Sequence, residues 1–293
     1  MPHTFSIIIP TYNRAAKITH SILSVLNQSY SNLELIVVDD GSTDNTLEVV
    51  SSFHDTRVRY FKKENEERAI ARNYGIEQAH GDYVTFLDSD DILYTHFLAE
   101  AQIVIETYSN PEWLHLAYEI KDEYGKVLRK ENKRKGNIND TFITGNHLSC
   151  IGVFVRKDII QKHKFNEDPD IIGSEDYLLW LELASLYTLR YSNIISASML
   201  HHVDRSVINF KKQHLIVRIE KSIHYGLKNP DINNFLKGRI SIFIAHRYLY
   251  LANHLSRASY KFPAILYYFR SLGHFPPVFF YRNSLSFLKS LFL

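Results

Sequence analysis

A chain of 293 residues, 45% hydrophobic and 23% charged, has the make-up of a globular protein with a full core, either one large domain or one domain with an appendage. Its single cysteine, Cys150, excludes an intramolecular disulfide framework, no run of about 18 uncharged apolar residues argues for a membrane-spanning helix, and no basic-then-apolar leader opens the chain, so a reducing, cytoplasmic compartment is the expectation. The net charge of +2 conceals an asymmetry: residues 205–293 carry 14 lysines and arginines against only Glu220 and Asp231, which leaves the preceding part acidic and points to different partners for the two.

Residues 5–9 are a short apolar, β-branched run closed by Pro10, the pattern of a strand covered on both faces in a parallel sheet. Ala15, Ile18, Ile22, Val25 and Leu26 recur at helical spacing and predict an amphipathic helix over 14–28. A second buried strand is expected over 33–38. It runs into Asp39-Asp40-Gly41-Ser42, where Ser42 or Thr43 can cap a helix reaching residue 53. Residues 58–61 read as a third strand, 67–79 as a third helix, and 83–87 as a fourth strand that ends in Asp88-Ser89-Asp90-Asp91. This alternation specifies right-handed crossovers and an open, mostly parallel α/β sheet with helices on both faces, in which ligands bind beyond the carboxyl ends of the strands. Thr11-Tyr12-Asn13-Arg14, 39–42 and 88–91 all fall at such ends and are expected to share one crevice.

Farther on, 114–120 and 126–130 flank a turn at 122–125 and predict a hairpin, followed by a polar, basic, mobile loop over 131–140. A strand is expected over 151–155, a helix over 175–186 with Tyr177, Leu178, Leu181 and Ala184 or Leu186 inward, and a strand over 194–200 that returns to the sheet. After His201-His202 the pattern is helical, with breaks near 229–230, 262–263 and 276–277. No internal repeat is visible.

Asp88, Asp90 and Asp91 concentrate negative charge that repels itself unless a cation arrives. Hard carboxylate oxygens suit Mg2+ or Mn2+, which commonly bridge protein carboxylates to a diphosphate. A solvated turn or a helix cap accounts for the same residues taken alone. Neither a G-x-x-x-x-G-K-[ST] loop nor a G-x-G-x-x-G turn is present, which disfavours a P-loop NTPase and a dinucleotide oxidoreductase and leaves a metal to neutralise the phosphates.

Four segments, Ser6-Ile7-Ile8-Ile9-Pro10-Thr11-Tyr12-Asn13-Arg14, Val37-Val38-Asp39-Asp40-Gly41-Ser42-Thr43-Asp44, Ala71-Arg72-Asn73-Tyr74-Gly75-Ile76 and Phe86-Leu87-Asp88-Ser89-Asp90-Asp91, resemble in order and interval the family-2 glycosyltransferases, which have the GT-A fold. The resemblance covers about the first hundred residues. It implies a Rossmann-like catalytic domain over 1–204, with a donor half (1–110) and an acceptor half (111–204), and a basic, aromatic helical appendage over 205–293. It also implies a nucleotide-sugar donor, usually a UDP-sugar, contacted by Pro10, Thr11, Tyr12, Arg14 and Asp39 with Arg72, Asp88 and Ser89 nearby, and Mn2+ or Mg2+ on Asp90. The chemistry suits these roles: Asp39 can accept from a pyrimidine N3–H, Tyr12 can stack on the base, and Arg72 supplies a permanent charge near phosphate. Plain packing of Tyr12 and a structural pairing of Arg72 with an aspartate fit the residues as well.

Gly173-Ser174-Glu175-Asp176-Tyr177 resembles the family segment whose aspartate is the general base, which maps to Asp176; an inverting transfer needs one base to deprotonate the acceptor hydroxyl. Taken alone, the same residues read as a helix cap. The resemblance further implies a histidine that helps hold metal or diphosphate, and His202 is the candidate, although Leu200-His201-His202 departs from the family's Tyr-Arg-x-His pattern and leaves the register open. The implied acceptor is a saccharide or lipid-linked saccharide in surface polysaccharide or glycoconjugate assembly. Transfer onto a polyprenyl phosphate and a non-catalytic nucleotide-sugar-binding role are the alternatives. Ten aromatic residues over 262–293, interleaved with Arg270, Arg282 and Lys289, fit either an interfacial membrane segment, which would make the protein peripheral on the inner face of the cell membrane, or packing on the domain or on a second subunit of an oligomer. Scattered basic residues without a recognised module disfavour nucleic acid.

Overall fold

The computed structural model describes residues 2–201 and 212–292. They pack as two units interleaved in sequence: Met1–Asn137, Leu148–Phe165 and Tyr187–Arg205 form the first, and Ile138–His147, Asn166–Leu186 and Ser206–Leu293 the second.

Among the described residues, the first unit holds all nine strands. Its leading half runs β1 (Phe5–Thr11), α1 (Ala15–Leu26), β2 (Leu33–Asp39), α2 (Thr46–Ser51), β3 (Val58–Lys62), α3 (Arg68–Gln78) and β4 (Tyr83–Phe86). These strands lie in the order β3-β2-β1-β4, all parallel, as the apolar runs and the alternation require. β1 is central, with Phe5, Ile7, Ile8 and Ile9 wholly buried between layers of helices. Register decides the site: Thr11 pairs with Asp39 and Ile8 with Phe86, so the loops after β1, β2 and β4 leave from one carboxyl edge.

The trailing half is mixed: β5 (Ile92–Leu93), α4 (Phe97–Thr107), β6 (Trp113–Lys121), β7 (Val127–Lys130), β8 (Val153–Arg156), α5 (Lys157–Ile160) and β9 (Arg190–Leu200). β8 runs antiparallel to both β4 and β6, β9 lies parallel to β6, and β5 pairs antiparallel with β9. The predicted hairpin is β6–β7, turning at Gly125 with φ +80°.

Two features depart from expectation. Ser42 and Thr43 do not cap α2. Ser42 Oγ accepts from Asn13 N–H instead, Asp44 accepts from Thr46 N–H, and the helix starts only at Thr46. β5 and α4 were passed over, although Phe97, Leu98, Ala101, Val104 and Ile105 recur at helical spacing and are all buried.

The second unit is helical. A 3-10 turn (Asn139–Ile143) and α6 (Glu175–Leu186) precede α7 (Lys212–Lys228), α8 (Pro230–Phe235), α9 (Ile240–Arg257), α10 (Lys261–His274) and α11 (Arg282–Phe292). α6 is apolar around most of its circumference and correspondingly buried, from Tyr177 to Leu181 without interruption. Asn229 caps α8 by accepting from Asp231 and Ile232 N–H ahead of Pro230 at the first helical position, which accounts for the first predicted break. Pro263 sits in the first turn of α10 rather than in a break, because a first-turn nitrogen has no intrahelical acceptor to lose.

Candidate functional site

The loop after β1 is locked to the loop after β2. Asn13, in the left-handed region at φ 51°, accepts from Thr43 N–H at 2.8 Å while its own N–H reaches Ser42 Oγ at 2.8 Å. Asp39, wholly buried, accepts from Ser42 N–H at 2.7 Å and from the Tyr60 hydroxyl. Burial, together with the bond to Asp39, pushes the Tyr60 phenol above its ordinary range, so it stays a donor at neutral pH. Asp40 ties in the loop before α3, accepting from Lys63 Nζ at 2.7 Å and from Glu66 and Glu67 N–H at 3.0 and 2.9 Å. Gly41 is required here: its φ is +85°, and a Cβ would stand 2.9 Å from Asn65 N. Around this bracket lie Pro10, Thr11, whose buried hydroxyl has no partner among the described residues, the exposed ring of Tyr12, and Arg14, whose N–H donates to Thr46 Oγ1.

α3 delivers Arg72 to the same edge. Its side chain is 3% exposed and donates from Nη2 to Asp88 Oδ1 at 3.0 Å. The guanidinium lies over the Phe165 ring, and Asn73 clamps the Phe165 backbone through both N–H and C=O, so the arginine is held from two sides. Asp88, Asp90 and Asp91 converge, with ligand oxygens within 4.8 Å of one another. Three hard oxygen donors at that spacing fit a divalent cation such as Mg2+ or Mn2+. The aspartates differ, however: Asp91 is 1% exposed and accepts from Leu200 N–H at 2.9 Å, fastening the end of β9, while Asp88 and Asp90 are more open. Ser89 is buried between them. A cavity of about 580 Å³ lined by His3, His80, Asp82, Tyr83, Arg156 and Lys157 opens at the amino ends of β1 and β4, the opposite edge, and has no part in this chemistry.

Asp176 belongs to the second unit. It sits in the first turn of α6, accepting from Asn146 Nδ2 at 2.9 Å, while Glu175 beside it is buried and accepts from Gly173 N–H at 2.5 Å. The amino end of a helix favours carboxylates. Arg218 of α7 is buried nearby: burial lowers its guanidinium from the ordinary value, Tyr250, Glu175 and Asp176 act against that, and Arg247 reinforces it. His202 lies outside the described residues.

The structure thus gathers Thr11, Tyr12, Arg14, Asp39, Arg72, Asp88, Ser89 and Asp90 on one carboxyl edge of the first unit, with Asp176 on the second. Tyr60 and Asn146 stand outside the sequence motifs, and the bonds that Asn13 and Asn73 make are not readable from theirs. Each acts on a residue 21 to 30 positions away, or on Phe165, 92 away, through one or two polar atoms, and no periodicity carries such a signal.

A parallel half-sheet continued by antiparallel strands, with convergent carboxylates and polar loops on one carboxyl edge, defines an α/β protein of the GT-A fold. The sequence signature of glycosyl transferase family 2 matches residues 6–161, and the chain belongs to that family. An uncharacterized glycosyltransferase of Haemophilus influenzae is 37% identical over 180 residues, covering 60% of this chain and 70% of that one. The UDP-Glc:alpha-D-GlcNAc-diphosphoundecaprenol beta-1,3-glucosyltransferase WfgD of Escherichia coli is 35% identical over 179 residues, covering 61% of this chain and 68% of that one. An uncharacterized glycosyltransferase of Rickettsia bellii is 38% identical over 183 residues, but the match spans only 26% of that longer protein. Among solved structures, residues 1–349 of Staphylococcus aureus TarS in complex with UDP-GlcNAc superpose with a TM-score of 0.70 at 19% identity, covering 98% of this chain and 89% of that one. The mannosyltransferase PcManGT of Pyrobaculum calidifontis, with GDP-Man and Mn2+, gives 0.57 at 17%, covering 99% and 86%. At such identities the likeness is one of fold, and the GT-A fold is the one expected.

Proposed function

We propose that the protein is an inverting glycosyltransferase that moves a sugar from a nucleotide-sugar, a UDP-sugar, to a hydroxyl of a saccharide carried on a lipid diphosphate. The observation that carries this reading is the carboxylate triad Asp88, Asp90 and Asp91 on the same strand edge as buried Asp39 and the Arg72–Asp88 pair. Asp39, held by Ser42 and Tyr60, presents its remaining lone pairs to a pyrimidine N3–H, with Pro10, Thr11, Tyr12 and Arg14 lining the base and ribose. Arg72 and Ser89 face the diphosphate side, where Asp88 and Asp90 would hold Mn2+ or Mg2+. A metal bound there stabilises the charge that develops on the departing diphosphate. Asp176, oriented by Asn146, takes the proton of the acceptor hydroxyl; that oxygen bonds to the anomeric carbon as the carbon–phosphate-oxygen bond on the opposite face breaks. The lipid-diphosphate acceptor is suggested by the E. coli relative and by a Campylobacter jejuni relative, 33% identical over 189 residues, whose name includes diNAcBac-PP-undecaprenol. We further propose that the basic, aromatic C-terminal helices attach the protein to the membrane surface where such a lipid resides.

The test is turnover of UDP-sugars with and without Mn2+. Wild type is expected to release UDP only with the metal, and Asp90→Asn to lose about 100-fold or more, the worth of several kcal/mol of charge stabilisation. Metal-independent turnover, or an Asp90→Asn enzyme as fast as wild type, defeats the reading. A binding protein that had kept the fold would bind UDP and release none.

A further inference from the structure

The second unit buries a cation that its own residues leave without a counter-charge. Arg247, on α9, is 3% exposed. Its guanidinium lies 4.0 Å from the centre of the Tyr177 ring and 5.5 Å from that of Tyr250, its Nε is buried with no acceptor, and among the described residues it has neither a hydrogen bond nor a carboxylate partner. Ring faces attract a guanidinium but accept none of its N–H bonds, so they do not replace the water it has lost. Arg218, 1% exposed and itself facing Glu175 and Asp176, interacts repulsively with it.

At one end the group is covered only by a glycine. Gly145, partly exposed, stands over the guanidinium, where a Cβ would lie 3.6 Å from Nη2. The residues that follow, Asn146 and His147, are exposed, and Asn146 is the donor to Asp176 Oδ2. The charge therefore sits one residue from the group that orients the proposed base, on the side of α6 that carries Tyr177.

We propose that Arg247 is an anion subsite that receives a phosphate group of the acceptor and so sets the acceptor hydroxyl against Asp176. This rests on the transfer reading, with Asp176 as base. A planar guanidinium packed against two tyrosine rings presents a fork of donors, which suits the oxygens of a phosphate or diphosphate ester. Arg247 is a binding residue in this account, and Tyr177 and Tyr250 are its positioning residues.

Inorganic pyrophosphate, titrated calorimetrically into the full chain with divalent metal withheld, tests the subsite without any sugar transfer; without a cation the carboxylates of the first unit repel the probe. Wild type is expected to bind saturably, and Arg247→Met and Gly145→Leu to bind about 10-fold more weakly or worse, the loss of one or two charge-assisted hydrogen bonds. Gly145→Leu places a bulky side chain over that end of the guanidinium and leaves the buried tyrosine stack in place, so the test stands even where Arg247→Met does not fold. Equal affinity in wild type and Gly145→Leu, or no binding by wild type, overturns the subsite. In a second arm, phosphatidylcholine vesicles with and without a polyprenyl diphosphate are offered to wild type and Gly145→Leu. Retention of wild type alone on the doped vesicles assigns the phosphate to a lipid carrier. Pyrophosphate binding with no such retention upholds the subsite for a water-soluble phosphate ester. Failure of the transfer reading would appear separately, as metal-independent UDP-sugar turnover, and pyrophosphate binding does not depend on it.

Discussion

At the residue scale, identical side chains a few positions apart do different work. Asp90 is half-buried while Asp91, next to it, is buried and accepts from Leu200 N–H, so the same carboxylate serves as a candidate ligand in one case and as a tether for β9 in the other. Asp39 shows how a buried carboxylate is made usable: Ser42 N–H and the Tyr60 hydroxyl compensate its desolvation and fix its direction. Tyr60→Phe removes one charge-assisted bond from a group that cannot regain it from water, and is expected to destabilise the protein by about 1–3 kcal/mol and to weaken UDP binding. Urea denaturation and a UDP titration measure the two effects; a variant unchanged in both would show that Tyr60 does not orient Asp39. The aspartates, Arg72 and Asp176 stand in contiguous motifs and are therefore the candidates that the sequence offers. Tyr60 and Asn146 lie outside those motifs, and each reaches its partner across a loop or between strands.

At the element scale, α3 lies close against β1 because Gly75 leaves room for Ile8. A Cβ at that position would stand 2.5 Å from Ile8 Cγ2, and the neighbour is a wholly buried branched side chain. Gly75→Ala is expected to lower stability by about 1–3 kcal/mol, outweighing the gain in helix propensity of about 1 kcal/mol, because overpacking displaces the central strand. A melting point at or above wild type would contradict this packing. On α9, burial with help from Arg247 and His147 pushes His246 down to about 4, and burial with help from Arg218, Arg257 and Arg247 does the same to His254. Because the folded values lie below the unfolded value of 6.5, the unfolded chain binds the extra protons. Stability is therefore full above pH 6.5 and falls toward about pH 4, by up to about 1.4 kcal/mol per pH unit for each histidine. Thermal melts from pH 7 to pH 5 measure it; His246→Gln should flatten the slope, and an unaltered slope would place the titration elsewhere. Among the elements, the strands and helices of the leading half were legible from hydrophobic period. The two-residue β5 was not, as its pairing with β9 is a long-range choice, and α2 starts late because side chains of the neighbouring loop engage Ser42 and Thr43 first.

At the scale of the whole molecule, the C-terminal helices leave large apolar side chains in water. Phe262 is 81% exposed, Phe269 64% and Phe280 82%, on a segment whose charge is strongly positive. Among the described residues no helix is long and apolar enough to cross a membrane. Surface attachment, as proposed, combines insertion of these rings, about 1.5–3 kcal/mol apiece when fully buried, with about 1 kcal/mol for each basic residue near an anionic surface. The chain is expected to sediment with phosphatidylglycerol vesicles and to be released by salt, and the triple variant Phe262→Ser, Phe269→Ser, Phe280→Ser to stay in solution. Vesicle binding indifferent to those substitutions would sink the attachment, and concentration-dependent dimerisation lost in the variant would reassign the rings to a second subunit.

The sequence by itself determined the parallel half of the sheet and the order of its polar loops. Period-2 and period-3.6 hydrophobicity and contiguous motifs are local properties, and a buried parallel sheet leaves few ways to satisfy them. Tertiary structure decided the rest: which aspartate faces solvent, which loop locks another, and that the segment bearing Asp176 packs with the helices that bury Arg247. Those outcomes depend on single polar atoms meeting across long separations in sequence, where the free energy resides in desolvation and geometry and leaves no repeating trace along the chain.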